Sequence, residues 1–222
     1  MTSFSLGVVA HISRKDSIGE LANLTQPDVV ELDDGTLGCG RNHLATLVSL
    51  HRLMDKHCKE WVVVLEDDVK TVPYFRQELL AALEVAPTPI VSLYLGTGYP
   101  AQRQHKFAEA VATGASWILH PWLRHGVGYA IRWDHVRPVI KHIEPLMDRQ
   151  LPWAPDDAIS SYALRHAIDV SYLNPSIVEH RDLPSVIRER SHLGKWTQSR
   201  NRPRHAHKFG VPLTRDDSYV RV

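Results

Sequence analysis

Five consecutive apolar residues, Trp61-Val-Val-Val-Leu65, run straight into three acids, Glu66-Asp67-Asp68. A strand with no polar alternation offers water neither face, so it must be covered on both sides, as strands of a parallel sheet are when helices lie on each face. The run is far shorter than the about 20 apolar residues that span a bilayer, and Glu60 and Glu66 close it off. A chain built around such a strand has to supply helices for both faces. With 222 residues, 43% of them apolar, this one is long enough for a single domain with one sizeable core. Its 23% of charged residues and 12 Gly exclude a disordered or collagen-like chain.

The order of elements agrees. Leu6 to Ile12 reads as a buried first strand feeding a polar loop, Ser13-Arg14-Lys15-Asp16, and Asp28 to Leu32 as a short second strand before the turn signal Asp33-Asp34-Gly35. Residues 41 to 57 carry apolar side chains at helical spacing. After the strand at 61 to 65, a helix is predicted from Pro73 to about Val85, with proline in the first turn. A strand follows at Ile90 to Leu95. Residues 99 to 115 carry a weak signal. Ser116 to Leu119 and Gly128 to Ile131 read as strands, 134 to 147 and 156 to 167 as helices, and Val170 to Leu173 as the last strand. Strands alternating with helices predict an α/β fold with a mainly parallel sheet flanked by helices.

Charge divides the chain. Residues 1 to 180 hold 16 Lys/Arg against 21 Asp/Glu, a balance of −5, while 181 to 222 hold 10 against 4, a balance of +6. The segment 188 to 208 contains Arg188, Arg190, Lys195, Arg200, Arg202, Arg204 and Lys208, with Trp196 among them. It reads as a lid, an arm or a solvated tail, able to close on a diphosphate or to track a polyanion such as nucleic acid. Cys39 and Cys58 lie on or beside one helix, roughly 28 Å apart at about 1.5 Å rise per residue, too far for a disulfide. There is no His-Glu-x-x-His, no cysteine pair at zinc spacing, no Gly-x-Gly-x-x-Gly and no Walker-type loop. These absences argue against a zinc enzyme, a dinucleotide oxidoreductase and a P-loop enzyme. The first residues lack a basic flank followed by a long apolar stretch, so a cytoplasmic protein is expected.

Three like charges at the end of a buried strand need a cation, a donor or solvent to offset their repulsion. The end of a strand in an open α/β sheet is also where ligands bind. A solvated turn and a divalent ion bridging a diphosphate are the two readings of Glu66-Asp67-Asp68.

The stretch Gly35-Thr-Leu-Gly38-Cys39-Gly-Arg-Asn42-His43, then a helix, then Trp61 to Val69 resembles glycosyltransferase family 25, whose pattern is a Gly-Cys pair, a Ser-His on the next helical turn and a strand ending Glu-Asp-Asp. Gly126-Val-Gly128-Tyr129, Pro155-Asp156-Asp157 and Asn174-Pro175-Ser176-Ile-Val178-Glu-His180 resemble its later segments in order. Similarity covers about residues 5 to 180. Asn42 stands where the family usually has Ser, and residues 181 to 222 have no counterpart. The organisation expected is a glycosyltransferase domain at 1 to 180 and a basic lid or tail at 181 to 222.

The resemblance implies a GT-A fold, Rossmann-like and single-domain, with a UDP-sugar donor, Mn²⁺ or Mg²⁺, and hexose transfer with inversion. Carried onto this chain, Asp68 is the direct metal ligand, with Asp67 and Glu66 on metal-bound water or ribose and His180 a further ligand. His11, Ser13, Arg14 and His43 are donor-site candidates. Asp157 or Asp156 takes the acceptor proton, although two acids at a helix start also serve as a cap and complement the helix dipole. The acceptor is a hydroxyl on a glycan, or on a hydroxymethylated DNA base with the basic segment holding phosphates. The contrasting reading is a non-catalytic glycan- or nucleic-acid-binding module on the same scaffold.

Overall fold

The computed structural model describes residues 2–57, 59–98, 101–149, 153–181, 183, 205–212 and 214–222. Its elements in chain order are β1 (Phe4–His11), α1 (Lys15–Thr25), β2 (Val29–Asp33), α2 (Cys39–His57), β3 (Trp61–Glu66), β4 (Val69–Thr71), α3 (Phe75–Glu84), β5 (Ile90–Ser92), α4 (Gln104–Ala112), β6 (Trp117–His120), β7 (Gly128–Arg132), α5 (Trp133–Met147), α6 (Pro155–Arg165), β8 (Val170–Leu173), β9 (Val178–His180) and β10 (Tyr219–Arg221). Eight strands form one sheet in the order β10-β6-β8-β5-β7-β3-β1-β2, and β4 and β9 form a separate two-stranded sheet. β2, β1 and β3 run parallel, as do β5 and β8, while β7 lies antiparallel between β3 and β5. At the far edge β6 is antiparallel to β8 and parallel to β10. The fold is a single α/β domain on a mixed sheet.

β3 shows why the apolar run reads as it does. Val62 and Val64 pack into one core with Leu47 and Leu50 of α2 and Val136, Val139 and Ile143 of α5. Trp61, Val63 and Leu65 enter the other, with Ile18 and Leu21 of α1 and Phe75, Leu79 and Leu83 of α3. Residues 61 to 65 are at most 5% exposed, so helices cover both faces, each fully buried side chain contributing about 1.5–3 kcal/mol.

Several expectations are corrected. Ser13 to Asp16 is not a loop: a 3-10 turn at Ile12–Arg14 leads directly into α1. Pro73 precedes α3 and lies outside it, because Val72 N–H donates to the Ile177 carbonyl at 3.1 Å and Tyr74 takes a left-handed conformation at φ 56° before the helix starts. β5 stops at Ser92, whose hydroxyl donates to the Tyr94 carbonyl at 2.8 Å and turns the chain. The weak stretch holds α4. Residues 205–222 lie on the domain, apart from Leu213, which is outside the described residues. Ala206 bridges to Gly96, Phe209 to Ser176, and β10 completes the sheet. Cys58 and the basic residues Arg188, Arg190, Lys195, Arg200, Arg202 and Arg204, with Trp196, lie outside the described residues. Among the described residues no helix is long and apolar enough to cross a membrane.

Candidate functional site

The carboxyl ends of β1, β2 and β3 come to one edge of the sheet, because the three strands are parallel and neighbouring. Asp33 ends β2 and organises the turn between that strand and α2. Its carboxylate accepts from the amides of Gly35 at 2.9 Å, Leu37 at 3.0 Å and Gly38 at 3.0 Å. Burial opposes ionisation of this carboxyl, yet the three donors hold it below the ordinary value. Gly35 and Gly38 sit at φ 99° and 77°, a region glycine enters without strain. The loop delivers the chain to α2, where Asn42 donates its side-chain amide to the carbonyls of Ala10 at 3.0 Å and Glu31 at 3.3 Å. That residue, the departure from the family pattern, ties α2 across β1 and β2.

The acids at the end of β3 point to different neighbours. Asp67 accepts from the His11 amide at 2.8 Å through one oxygen and from Arg14 Nη1 at 2.5 Å through the other. The same guanidinium nitrogen lies 2.9 Å from Asp68 Oδ2. Asp67 and Asp68 are 4% and 5% exposed. The repulsion of two nearly buried carboxylates is thus offset by an arginine from the turn after β1. Burial works against the guanidinium, but Asp68 and Asp67 raise its pKa above the ordinary arginine value.

His180 reaches Asp68 from the other end of the chain. β4, immediately after the acids, pairs antiparallel with β9, and the register sets Val69 opposite His180. The Arg181 amide donates to the Asp68 carbonyl at 2.8 Å, and His180 Nε2 stands 3.5 Å from Asp68 Oδ2. Two carboxylates and an imidazole form a donor set that suits Mn²⁺ or Mg²⁺ in type. Arg14 holds the space between the two carboxylates, so a bridging ion and this guanidinium are alternative counter-charges.

Glu66 turns to the opposite side. Its Oε1 lies 3.3 Å from His43 Nε2, and His43 Nδ1 lies 3.2 Å from the Tyr129 hydroxyl, the two rings stacked at 15°. His43 is completely buried. Burial disfavours its imidazolium, but Tyr129, Cys39 and Glu66 together raise its pKa well above the ordinary histidine value. His43 is therefore sealed behind Glu66 and meets anything at the edge through that carboxylate.

Asp156 and Asp157 open α6, with Pro155 in its first turn. α6 starts against Gly126, where a Cβ would lie 3.2 Å from Glu66 Oε1, 3.5 Å from His43 and 3.6 Å from Pro155. This glycine lets the helix start approach the end of β3. Asp157 is exposed and Asp156 half-buried. Ser13 is exposed, its hydroxyl 2.7 Å from His11 Nδ1. The structure thus gathers His11, Ser13, Arg14, Glu66, Asp67, Asp68 and His180 along one edge, with Asp156 and Asp157 beside it and His43 behind. Tyr129 was not singled out by sequence; its register opposite Val64 on β7 places it there, and no local pattern signals that.

No protein-family model matches the chain, and no curated protein matches it. Among solved structures it is similar to A197 from STIV, with 11% identity over 81% of this chain and 85% of that one and a TM-score of 0.47. It is also similar to a glycosyltransferase involved in the glycosylation of the major capsid of PBCV-1, with 11% identity over 85% of this chain and 99% of that one and a TM-score of 0.44.

Proposed function

We propose that the chain is a nucleotide-sugar-dependent glycosyltransferase that moves a hexose from a UDP-sugar to an acceptor hydroxyl. The observation that carries this reading is the β4–β9 pairing, which sets His180 beside Asp68. The family resemblance had singled out these two residues separately for one metal site. Asp156 and Asp157 at the neighbouring helix start support a two-sided arrangement, with donor diphosphate at one set of acids and acceptor at the other.

Asp67, Asp68 and His180 would hold Mn²⁺ or Mg²⁺ in place of the Arg14 guanidinium. The ion when bound supplies neutralisation of the charge that develops on the departing diphosphate. The His11 amide fixes Asp67, so the β1 end and the acids form one rigid edge for the nucleotide. On the acceptor side, the hydroxyl oxygen bonds to the anomeric carbon as the bond from that carbon to the diphosphate oxygen breaks. The hydroxyl proton passes to Asp157, the more exposed of the two acids, and UDP leaves.

The test is nucleotide release from a panel of UDP- and GDP-sugars, with Mn²⁺ and with chelator, alone and with glycan or hydroxymethylated DNA added. Metal-dependent release from one donor is expected, and Asp68→Asn should lower it by about 100-fold or more while thermal unfolding stays near wild type. Arg14→Met, which keeps the aliphatic stem, should tighten Mn²⁺ binding several-fold, as read by paramagnetic resonance of the free ion without donor. Release from no donor would overturn the transferase reading in favour of a binding module. Unchanged Mn²⁺ affinity in Arg14→Met would remove the ion from the acid pair.

A further inference from the structure

The cluster behind the acidic edge carries a second and different chemistry. Cys39 is the first residue of α2, and His43 follows one turn later on the same helix. Glu66 comes from the end of β3. One ligand atom from each of the three, a sulfur, an imidazole nitrogen and a carboxylate oxygen, lies within 4.8 Å of the other two. Four features make this more than a set of close neighbours. The donors come from two elements and converge on one point, where His43 Nε2 and Glu66 Oε1 are already 3.3 Å apart. The remaining ring nitrogen, Nδ1, faces the Tyr129 hydroxyl at 3.2 Å, the outer hydrogen bond that fixes the ring of a metal-bound histidine. Cys39 stands half-buried at the first position of α2, one helical turn before His43 and on the same side of the helix. His43 is wholly buried and Gly126 leaves the adjoining space open to backbone alone.

We infer that Cys39, His43 and Glu66 form a binding site for a borderline-soft divalent transition metal of the Zn²⁺ class. Thiolate and imidazole select such an ion over Mg²⁺ or Ca²⁺. Three protein ligands leave the fourth tetrahedral place for water or a small ligand. Bond lengths of about 2.0–2.3 Å put tetrahedral ligand atoms roughly 3.3–3.8 Å apart, so closing the cluster needs a shift of about 1 Å, within the reach of a half-buried cysteine side chain. The ion would fasten the start of α2 to the end of β3 through Glu66, next to Asp67 and Asp68 but without using either. The site is independent of the transferase reading, since no part of it requires a sugar donor.

The experiment uses the full chain, stripped with chelator and titrated with Co²⁺ while its absorption spectrum is recorded. Wild type is expected to bind about one Co²⁺ with a near-ultraviolet thiolate-to-cobalt band and visible bands of tetrahedral intensity, both erased by Zn²⁺. Cys39→Ser should lose the near-ultraviolet band, His43→Gln and Glu66→Gln should weaken binding at least tenfold, and Cys58→Ser should leave the spectrum intact. Asp68→Asn separates the two sites: it should remove Mn²⁺-dependent turnover and leave the cobalt spectrum unchanged. No thiolate band in wild type, or a band that survives in Cys39→Ser, overturns the inference.

Discussion

A single residue can set how the chain responds to acid. His120, at the end of β6, is fully buried, and Arg103 Nη1 lies 3.1 Å from its Nε2. On the other side of the ring, Nδ1 lies 3.1 Å from the Trp122 amide and 3.2 Å from the Trp122 carbonyl. Burial, opposed by that carbonyl and reinforced by Arg124 and Arg103, lowers the imidazole to about 4 from an ordinary 6.5. The unfolded chain therefore binds the extra proton first as pH falls. The contribution of neutral His120 is complete above the unfolded pKa and is lost as pH drops from 6.5 toward 4. Urea midpoints at pH 7.5 and pH 5 should differ less in His120→Asn than in wild type; an equal difference would mean that other histidines carry the dependence.

At the scale of elements, the seating of α2 decides whether the site forms, because this helix brings Cys39, Asn42 and His43 to the ends of β1 and β3. β1 admits α2 at Gly7, where a Cβ would lie 2.6 Å from Thr46 Cγ2 and 2.8 Å from Leu50 Cδ1. Thr46 and Leu50 are both fully buried and have no room to withdraw. Gly7→Ala should cost about 1–3 kcal/mol by overpacking, lowering the thermal midpoint by several degrees and weakening activity through displacement of the acids' neighbours. A midpoint equal to wild type would show that the helix shifts freely. Gly19, with open space at its Cβ, is the control position.

For the whole molecule, residues 205–212 and 214–222 are tied to the sheet and to both cores. Trp117 donates its indole N–H to the Asp216 carbonyl at 2.9 Å, and Ser116 donates its hydroxyl to the Asp216 carboxylate at 2.9 Å. Ala206, Phe209, Val220 and Val222 pack against the two cores. A chain ended at His180 would expose the edge of β6 and leave a buried indole unpaired, at about 1–3 kcal/mol for the lost bond alone. Its thermal midpoint should fall by roughly 10 °C; a midpoint matching the full chain would show that residues 205–222 are dispensable to the fold.

Patterns set by one element's own geometry were legible without any structure. The unbroken apolar run at 61 to 65 meant two covered faces, because side-chain direction alternates along a strand whatever surrounds it. The acids after it meant a charged strand end in need of a counter-charge, and Asp156-Asp157 a helix start. What supplies that counter-charge was not legible from any one element, and His180 entered only through the family resemblance. Arg14 reaches the acids because β1 lies beside β3, and His180 because β4 pairs with β9 across more than a hundred residues. The same holds for β10, whose three residues carry too little periodicity to be seen alone, and for Cys39, His43 and Glu66, where a helix turn meets a strand end. Periodicity reports burial within an element, since the backbone fixes its period. Which elements meet is decided by the joint packing of the whole chain, and the chemistry of this site depends on those meetings.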